Sequence, residues 1–159
     1  DDAILGLPAP GASGSLGANK AIAITPPSTN IIQGTAGRDV LTGTGDSDRL
    51  IGEQVSDILI GGGGNDEFVY NRLEDAADII LDFQVGSDKI VMTNLLASLG
   101  YSGSNPLGDG IVSVASFGNS SLLLVDPDGT AGSAIARSYA LLFNVNAAGL
   151  NNPNNFTFS

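Results

Sequence analysis

The sequence contains no cysteine and no histidine. Without cysteine there is neither a disulfide framework nor a thiolate metal site, and without histidine every triad or dyad built on imidazole is excluded. Oxygen is the only ligand chemistry present in quantity, which suits hard cations such as calcium far better than zinc or copper. Basic residues are scarce too: Lys20, Arg38, Arg49, Arg72, Lys89 and Arg137 stand against 17 acids, for a net charge of -11. Such a surface repels nucleic acid and anionic membranes and favours cationic partners. No apolar run approaches a membrane span, so membrane insertion is not expected, and the opening DDAILGLPAP lacks the basic start of a secretory signal. The first residue is Asp, as expected of a processed product or of the end of something longer.

The 159 residues suffice for one domain of ordinary size. Twelve of the 17 acids fall between Gly34 and Asp88, so the charge is local and has a local cause. Residues 1–33, rich in Ala, Gly, Pro and Ser, read as an extended arm or linker, with one alternating patch from Ala21 to Thr25 stopped by Pro26 and Pro27. A repeat follows. In nines it reads GTAGRDVLT (34–42), GTGDSDRLI (43–51), GEQVSDILI (52–60) and GGGGNDEFV (61–69). Position one is Gly in all four units, position six is Asp (39, 48, 57, 66), and position eight is large and apolar (Leu41, Leu50, Leu59, Phe68).

Residues 70–159 read as a β-rich C-terminal cap. In ADIILDFQVGSDKIVM the alternation predicts Ile79, Leu81 and Phe83 facing inward, then a turn at Gly86-Ser87 and a second strand over 89–92. TNLLASLG predicts one short helix with Leu95, Leu96 and Leu99 in the core. IVSVASF and SSLLLV, split by Gly118-Asn119, predict a hairpin, SYALLFNV a further strand, and Phe83, Phe143, Phe156 and Phe158 the packing of the cap.

Nine residues are too few for a helix pair but suit a six-residue turn followed by a three-residue strand, so that two units make one coil of a solenoid. Glycine lets carbonyl oxygens converge on one point, and the aspartate completes the ring with a full charge. Stacked turns bring carboxylates together. At about 5 Å and an effective dielectric of about 20, each uncompensated pair costs roughly 3 kcal/mol. Four short units have little core to offset this, so the repeat is expected to be largely unfolded without a divalent ion.

The region resembles the RTX, or repeat-in-toxin, family, whose motif GGxGxDxUx, with U apolar, forms a calcium-bound parallel β-roll. The resemblance covers residues 34–92 and includes the continuation FVYNRLEDAADIILDFQVGSDKI, which is similar to that of secreted metalloproteases and adhesins. Residues 93–159 more loosely resemble the C-terminal target domain of type I secretion substrates. The resemblance implies an all-β fold, a short parallel β-roll capped by a β-rich region with one short helix. It implies calcium held between turns two units apart by backbone carbonyls and position-six aspartates. Carried over, one site uses Gly43, Gly45, Ser47 and Asp48 with Gly62, Gly64 and Asp66. A second uses Gly61, Gly63 and Asn65 with Asp78 and Asp75 from beyond the repeat. A site joining Asp39 to Asp57 is disfavoured, because Glu53, Gln54 and Val55 replace the small residues of the third unit and a β-branched Val is strained at positive φ. Replacement of Asp48 or Asp66 is accordingly expected to matter more than that of Asp57.

Other motifs fall short. GASGS at 11–15 departs from the serine nucleophile elbow, GTGDSD lacks the third Gly of a dinucleotide loop, and VDPDG at 125–129 reads as a turn between strands. Residue types alone leave open an acid-base carboxylate pair, but the repeat accounts for most of the carboxylates, and the expectation is a non-enzyme. The implied function is a calcium-binding extracellular module, secreted or at the cell surface, that passes the type I secretion machinery unfolded and folds outside. The alternative is a structural subunit of a filament, surface layer or adhesin that self-assembles as a homo-oligomer through its N-terminal arm.

Overall fold

The computed structural model describes residues 29–75 and 77–159. The expected arm thus lies outside the described residues up to residue 28, and its last part is already a strand, β1 (Asn30–Gln33). Six more short strands follow: β2 (Val40–Thr42), β3 (Asp48–Ile51), β4 (Ile58–Ile60), β5 (Glu67–Val69), β6 (Asp78–Ile80) and β7 (Lys89–Val91). They alternate between two parallel sheets, odd-numbered strands in one and even-numbered in the other. Partners are 18 residues apart while the nonapeptides last: Asn30 pairs with Asp48, Val40 with Ile58 and Arg49 with Glu67. Two units therefore make one coil. Beyond the glycines the spacing stretches, with Ile58 paired to Ile79 and Glu67 to Lys89.

Strands of three residues present one side chain to the interior, and position eight supplies it. Leu50, Leu59, Phe68, Ile80 and Ile90 form a buried column between the sheets. Position seven points outward. In the sheet of odd strands it carries Ile31, Arg49, Glu67 and Lys89, with an Arg49–Glu67 ion pair; in the other it carries Val40, Ile58 and Ile79. The inward set of β6 is Asp78 and Ile80, not the Ile79, Leu81 and Phe83 expected. Leu81 is exposed, because Asp78 occupies position six and sets the parity of the strand, while Phe83 lies buried beyond its end.

The cap extends both sheets. Helix α1 (Thr93–Ser98) buries Leu95 and Leu96. Hairpin strands β8 (Val112–Phe117) and β9 (Ser120–Val125) lead to β10 (Arg137–Leu142), which runs antiparallel to β9 and parallel to β6. A register shift between Leu123 and Leu124 lets consecutive Tyr139 and Ala140 both be buried. A one-turn helix α2 (Ala147–Leu150), additional to the single helix expected, is capped by the Asn146 side chain and precedes β11 (Phe156–Thr157), which pairs with β7. Phe156 and Phe158 stack against each other as cap residues, whereas Phe143 is exposed. No helix among the described residues is long and apolar enough to cross a membrane.

Candidate metal centre

Each position-six carboxylate works in two directions. From Asp57 onward Oδ1 accepts a hydrogen bond from the backbone of the preceding coil, the Asp39 N–H donating to Asp57 (2.8 Å), Asp48 to Asp66 (2.9 Å), Asp57 to Asp78 (2.9 Å) and Asp66 to Asp88 (3.0 Å), whereas Asp48 Oδ1 takes the Asn30 side-chain amide. Its Oδ2 points back into its own turn, and there the turns divide into two kinds.

In the first two units position two is threonine. The Thr35 N–H and hydroxyl donate to Asp39 Oδ2, and those of Thr44 donate to Asp48 Oδ2. The same hydroxyls accept the N–H of Gly37 and of Asp46. In the third and fourth units positions two and four are left-handed: Glu53 (φ 76°), Val55 (φ 65°), Gly62 (φ 95°) and Gly64 (φ 94°). Here Asp57 Oδ2 and Asp66 Oδ2 are buried with no hydrogen-bond partner. A buried carboxylate oxygen without a partner carries a penalty of about 1–3 kcal/mol or more, which a cation at that point would remove.

Position-one glycines shape the space around these oxygens. A side chain at Gly43 would lie 2.0 Å from the Gly61 carbonyl oxygen and 2.7 Å from Asp48 Oδ2. One at Gly52 would lie 2.6 Å from Asp57 Oδ2 and 3.2 Å from Asp78 Oδ2, and one at Gly61 would lie 2.4 Å from Asp66 Oδ2. Glycine thus leaves an oxygen-lined cradle that a methyl group would fill. The donor set is carbonyl and carboxylate oxygen throughout, the chemistry of calcium. No three carboxylates among the described residues gather closely enough to hold an ion by themselves, so backbone carbonyls must complete any coordination.

The charges are poorly compensated. Burial pushes the Asp57, Asp66, Asp75 and Asp88 carboxyls above their usual range, and neighbouring carboxylates add to it: Asp39 and Asp75 for Asp57, and Asp88, Asp48 and Asp82 for Asp66. Asp78 is pushed up to about 7 by burial, with Asp57 and Asp75 beside it. At Asp48 burial also raises, but the Thr44 N–H, the Asn30 amide and the Thr44 hydroxyl together hold the carboxyl below its ordinary value.

The residues of the first expected site do come together. Turns 43–48 and 61–66 are adjacent, with the Asn65 N–H donating to Ser47 Oγ and the Gly63 N–H to the Thr44 carbonyl. Gly62 and Gly64 sit hard against Thr44 and Asp46, while a side chain at Gly45 would meet nothing within 4 Å. The second expected grouping is not assembled. Asp75 and Asp78 lie on the even-strand side beside Asp57, because the chain crosses between sheets after the fourth unit and Asp78 falls in register with the third. The turn holding Gly61, Gly63 and Asn65 faces Asp82 and Asp88 instead: Asp82 accepts the Gly61 and Gly62 N–H groups at 2.8 Å each, and Asp88 the Asp66 N–H. Asp39 and Asp57, disfavoured as a pair, are neighbours. Asp82 and Asp88 escaped the sequence reading. For Asp88 a signal was present, since Asp78-x-Ile80 and Asp88-x-Ile90 keep the position-six and position-eight spacing after the glycines are lost. The VDPDG segment forms a self-capped turn, with Asp128 accepting the Ser133 and Ala134 N–H groups.

The family described as peptidase M10 serralysin C terminal matches residues 11–103, more than half of the chain. Among solved structures, the chain is similar to the AlgE6R3 subunit of the Azotobacter vinelandii mannuronan C5-epimerase, with 22% identity over 89% of this chain and 87% of that one and a TM-score of 0.50. The AlgE6R2 subunit of the same epimerase matches with 22% identity over 82% of this chain and 92% of that one, with a TM-score of 0.38. At such identity the first likeness is one of fold. No curated protein matches.

Proposed function

Because this chain belongs to the peptidase M10 serralysin C-terminal family and is an RTX-type β-roll, we propose that it is a calcium-dependent folding module of an extracellular protein. The observation that carries the reading is the pair of buried, unpartnered carboxylate oxygens, Asp57 Oδ2 and Asp66 Oδ2, each facing a glycine-made cradle. Asp48 and Asp66, with carbonyls of turns 43–48 and 61–66, would hold one ion. Asp57 and Asp78, with nearby backbone carbonyls, would hold another on the opposite side, and Asp66 and Asp88, with carbonyls of turn 61–66, a third. Bound calcium supplies positive charge between stacked carboxylates and ties each coil to the next.

The consequence is linkage. Two ions at a hundredfold excess over their dissociation constants add about 5 kcal/mol to folding, enough to switch a marginal fold. A chain that stays unfolded where calcium is scarce and folds at extracellular concentrations suits passage through a type I channel. The role is binding and folding rather than catalysis, since the buried carboxylates are committed to the coil-to-coil ladder. Calorimetric calcium titration of the whole chain, with far-ultraviolet circular dichroism in parallel, tests this. Two or more sites with a cooperative gain in strand content are expected; full strand content after exhaustive calcium removal would overturn it.

A second reading, a self-assembling subunit of an extracellular layer or filament, draws support from the uncharged outer face of the even-strand sheet, where Val40, Leu81 and Phe143 are exposed. Sedimentation in calcium separates the two: polymers favour the subunit, monomers the folding module.

A further inference from the structure

Glu53 stands at position two of the third unit, where the fourth unit has Gly62, and both backbones are left-handed (φ 76° and 95°). Glycine holds that conformation without strain and glutamate does not. The Glu53 side chain spans three coils instead. The Gln33 amide donates to Glu53 Oε2, and the Arg72 guanidinium pairs with Oε1. Gln33 ends β1, Glu53 follows β3 and Arg72 follows β5, so one carboxylate joins the coil before it to the coil after it.

Arg72 reaches further in. Its Nε lies 3.3 Å from Asp75 Oδ1, a buried oxygen that has no hydrogen bond, while Asp75 Oδ2 takes the Asn71 and Arg72 N–H groups. The Glu53 and Asp75 side chains are only 19% and 2% exposed, so the guanidinium is seated between two largely covered acids. A planar guanidinium, always charged and with several donors in one fork, suits such a seat. Asp75 in turn acts on both Asp57 and Asp78, and Arg38, whose guanidinium donates to the Ser56 carbonyl, acts on Asp57 from the other direction. The even-strand side therefore mixes carboxylates with built-in positive charge. On the odd-strand side the charges acting on Asp66 are Asp88, Asp48 and Asp82, all of one sign.

We propose that the Arg72 guanidinium, held by Glu53 and Asp75, is a resident cation of the even-strand side: it ties the coils there without metal and weakens the Asp57–Asp78 calcium site, so that the odd-strand side fills first. A fixed positive charge opposes a second cation nearby. The inference rests on the calcium reading of the roll.

The aromatic residues supply a local probe. The sequence has no tryptophan, and the buried Tyr70 hydroxyl lies in the field of Asp78, Asp57 and Asp75, so terbium bound beside them is excited through tyrosine. In the full chain, terbium and calcium titrations followed by circular dichroism, and tyrosine-sensitised terbium emission displaced by calcium, should show two phases, strand content first and the sensitised site second. Arg72→Gln should move the first phase to higher ion concentration and the second to lower, each by about threefold, the size of a partly exposed ion pair; Arg72→Lys, which keeps the charge, should restore the order. A merely structural arginine would shift both phases upward on removal, and that result, or no shift, overturns the proposal. Should Arg72→Gln fail to fold, the unaltered chain decides by order alone: emission rising together with strand content, or before it, rejects the inference. Calcium uptake with either of these results removes this inference alone, whereas no uptake by the unaltered chain removes the proposed function with it.

Discussion

The backbone N–H of Asp48 donates to Oδ1 of Asp66 at 2.9 Å across one coil of the roll, while the other oxygen of Asp66 is buried with no partner. One carboxylate therefore has a structural half, which pins the coil above, and an oxygen without a hydrogen-bond partner, which faces the cradle at Gly61. The same division holds for Asp57, whose Oδ1 takes the Asp39 N–H.

Removing either carboxylate should weaken calcium-induced folding by similar amounts. Asp66→Ala and Asp57→Ala are each expected to raise the calcium midpoint of the circular dichroism transition about tenfold or more, from loss of a charge-assisted contact of about 1.5–3 kcal/mol. Asp39→Ala, at a carboxylate whose Oδ2 is already satisfied by Thr35, should move it less. The neglect of Asp57 suggested by its unusual neighbours does not survive its burial; an Asp57→Ala chain that folds at the parental calcium level would exclude it as a ligand.

Val55 sits at φ 65° and is half exposed, so its β-branched side chain is strained while packing little. Val55→Gly should stabilise the calcium-bound state by about 1 kcal/mol after the entropy cost of glycine, seen as a higher denaturation midpoint. Glu53→Gly should bring no such gain, since Glu53 is bonded to Gln33 and paired with Arg72.

Close approach between turns separates the glycines. At Gly62 the backbone is left-handed and an added methyl would lie 2.0 Å from the Thr44 carbonyl oxygen, whereas at Gly45 it would meet nothing. Gly62→Ala is therefore expected to destabilise by about 3 kcal/mol or more, and Gly45→Ala by less than about 0.5 kcal/mol. Comparable midpoints for the two variants in chemical denaturation would contradict the packing of turns 43–48 and 61–66.

The calcium-depleted chain should respond to pH in an unusual direction. Asp57, Asp66, Asp75, Asp78 and Asp88 are raised in the folded state, Asp78 to about 7, with only Asp48 lowered among these buried acids. The folded state thus binds more protons than the unfolded one between about pH 4 and about pH 7. Its stability is greatest below that window and is lost as pH rises through it. Circular dichroism of the metal-free chain from pH 4 to 8 should show strand content falling, and calcium added at pH 8, where the carboxylates are already ionised, should restore it. Strand content that grows with pH in the absence of calcium would refute the assignment.

Much of this was readable from spacing alone. Gly at position one, Asp at six and a large apolar residue at eight specify a turn, a ligand and a core side chain, because a three-residue strand has one inward position and a nine-residue unit makes half a coil. The absence of His and Cys confined the metal chemistry to oxygen. Which carboxylates meet was not readable beyond residue 69. There the glycines cease and the coil lengthens, so pairing depends on which sheet the chain crosses to. Asp78 joined Asp57, and Asp88 joined Asp66. The parity of β6, with Ile80 inside and Leu81 outside, likewise followed from Asp78 taking a ladder position rather than from alternation. Local sequence determined the repeating turn because its chemistry is satisfied within a few residues. Tertiary structure decided the partners, because a carboxylate ladder is closed by hydrogen bonds from residues 18 to 22 positions away.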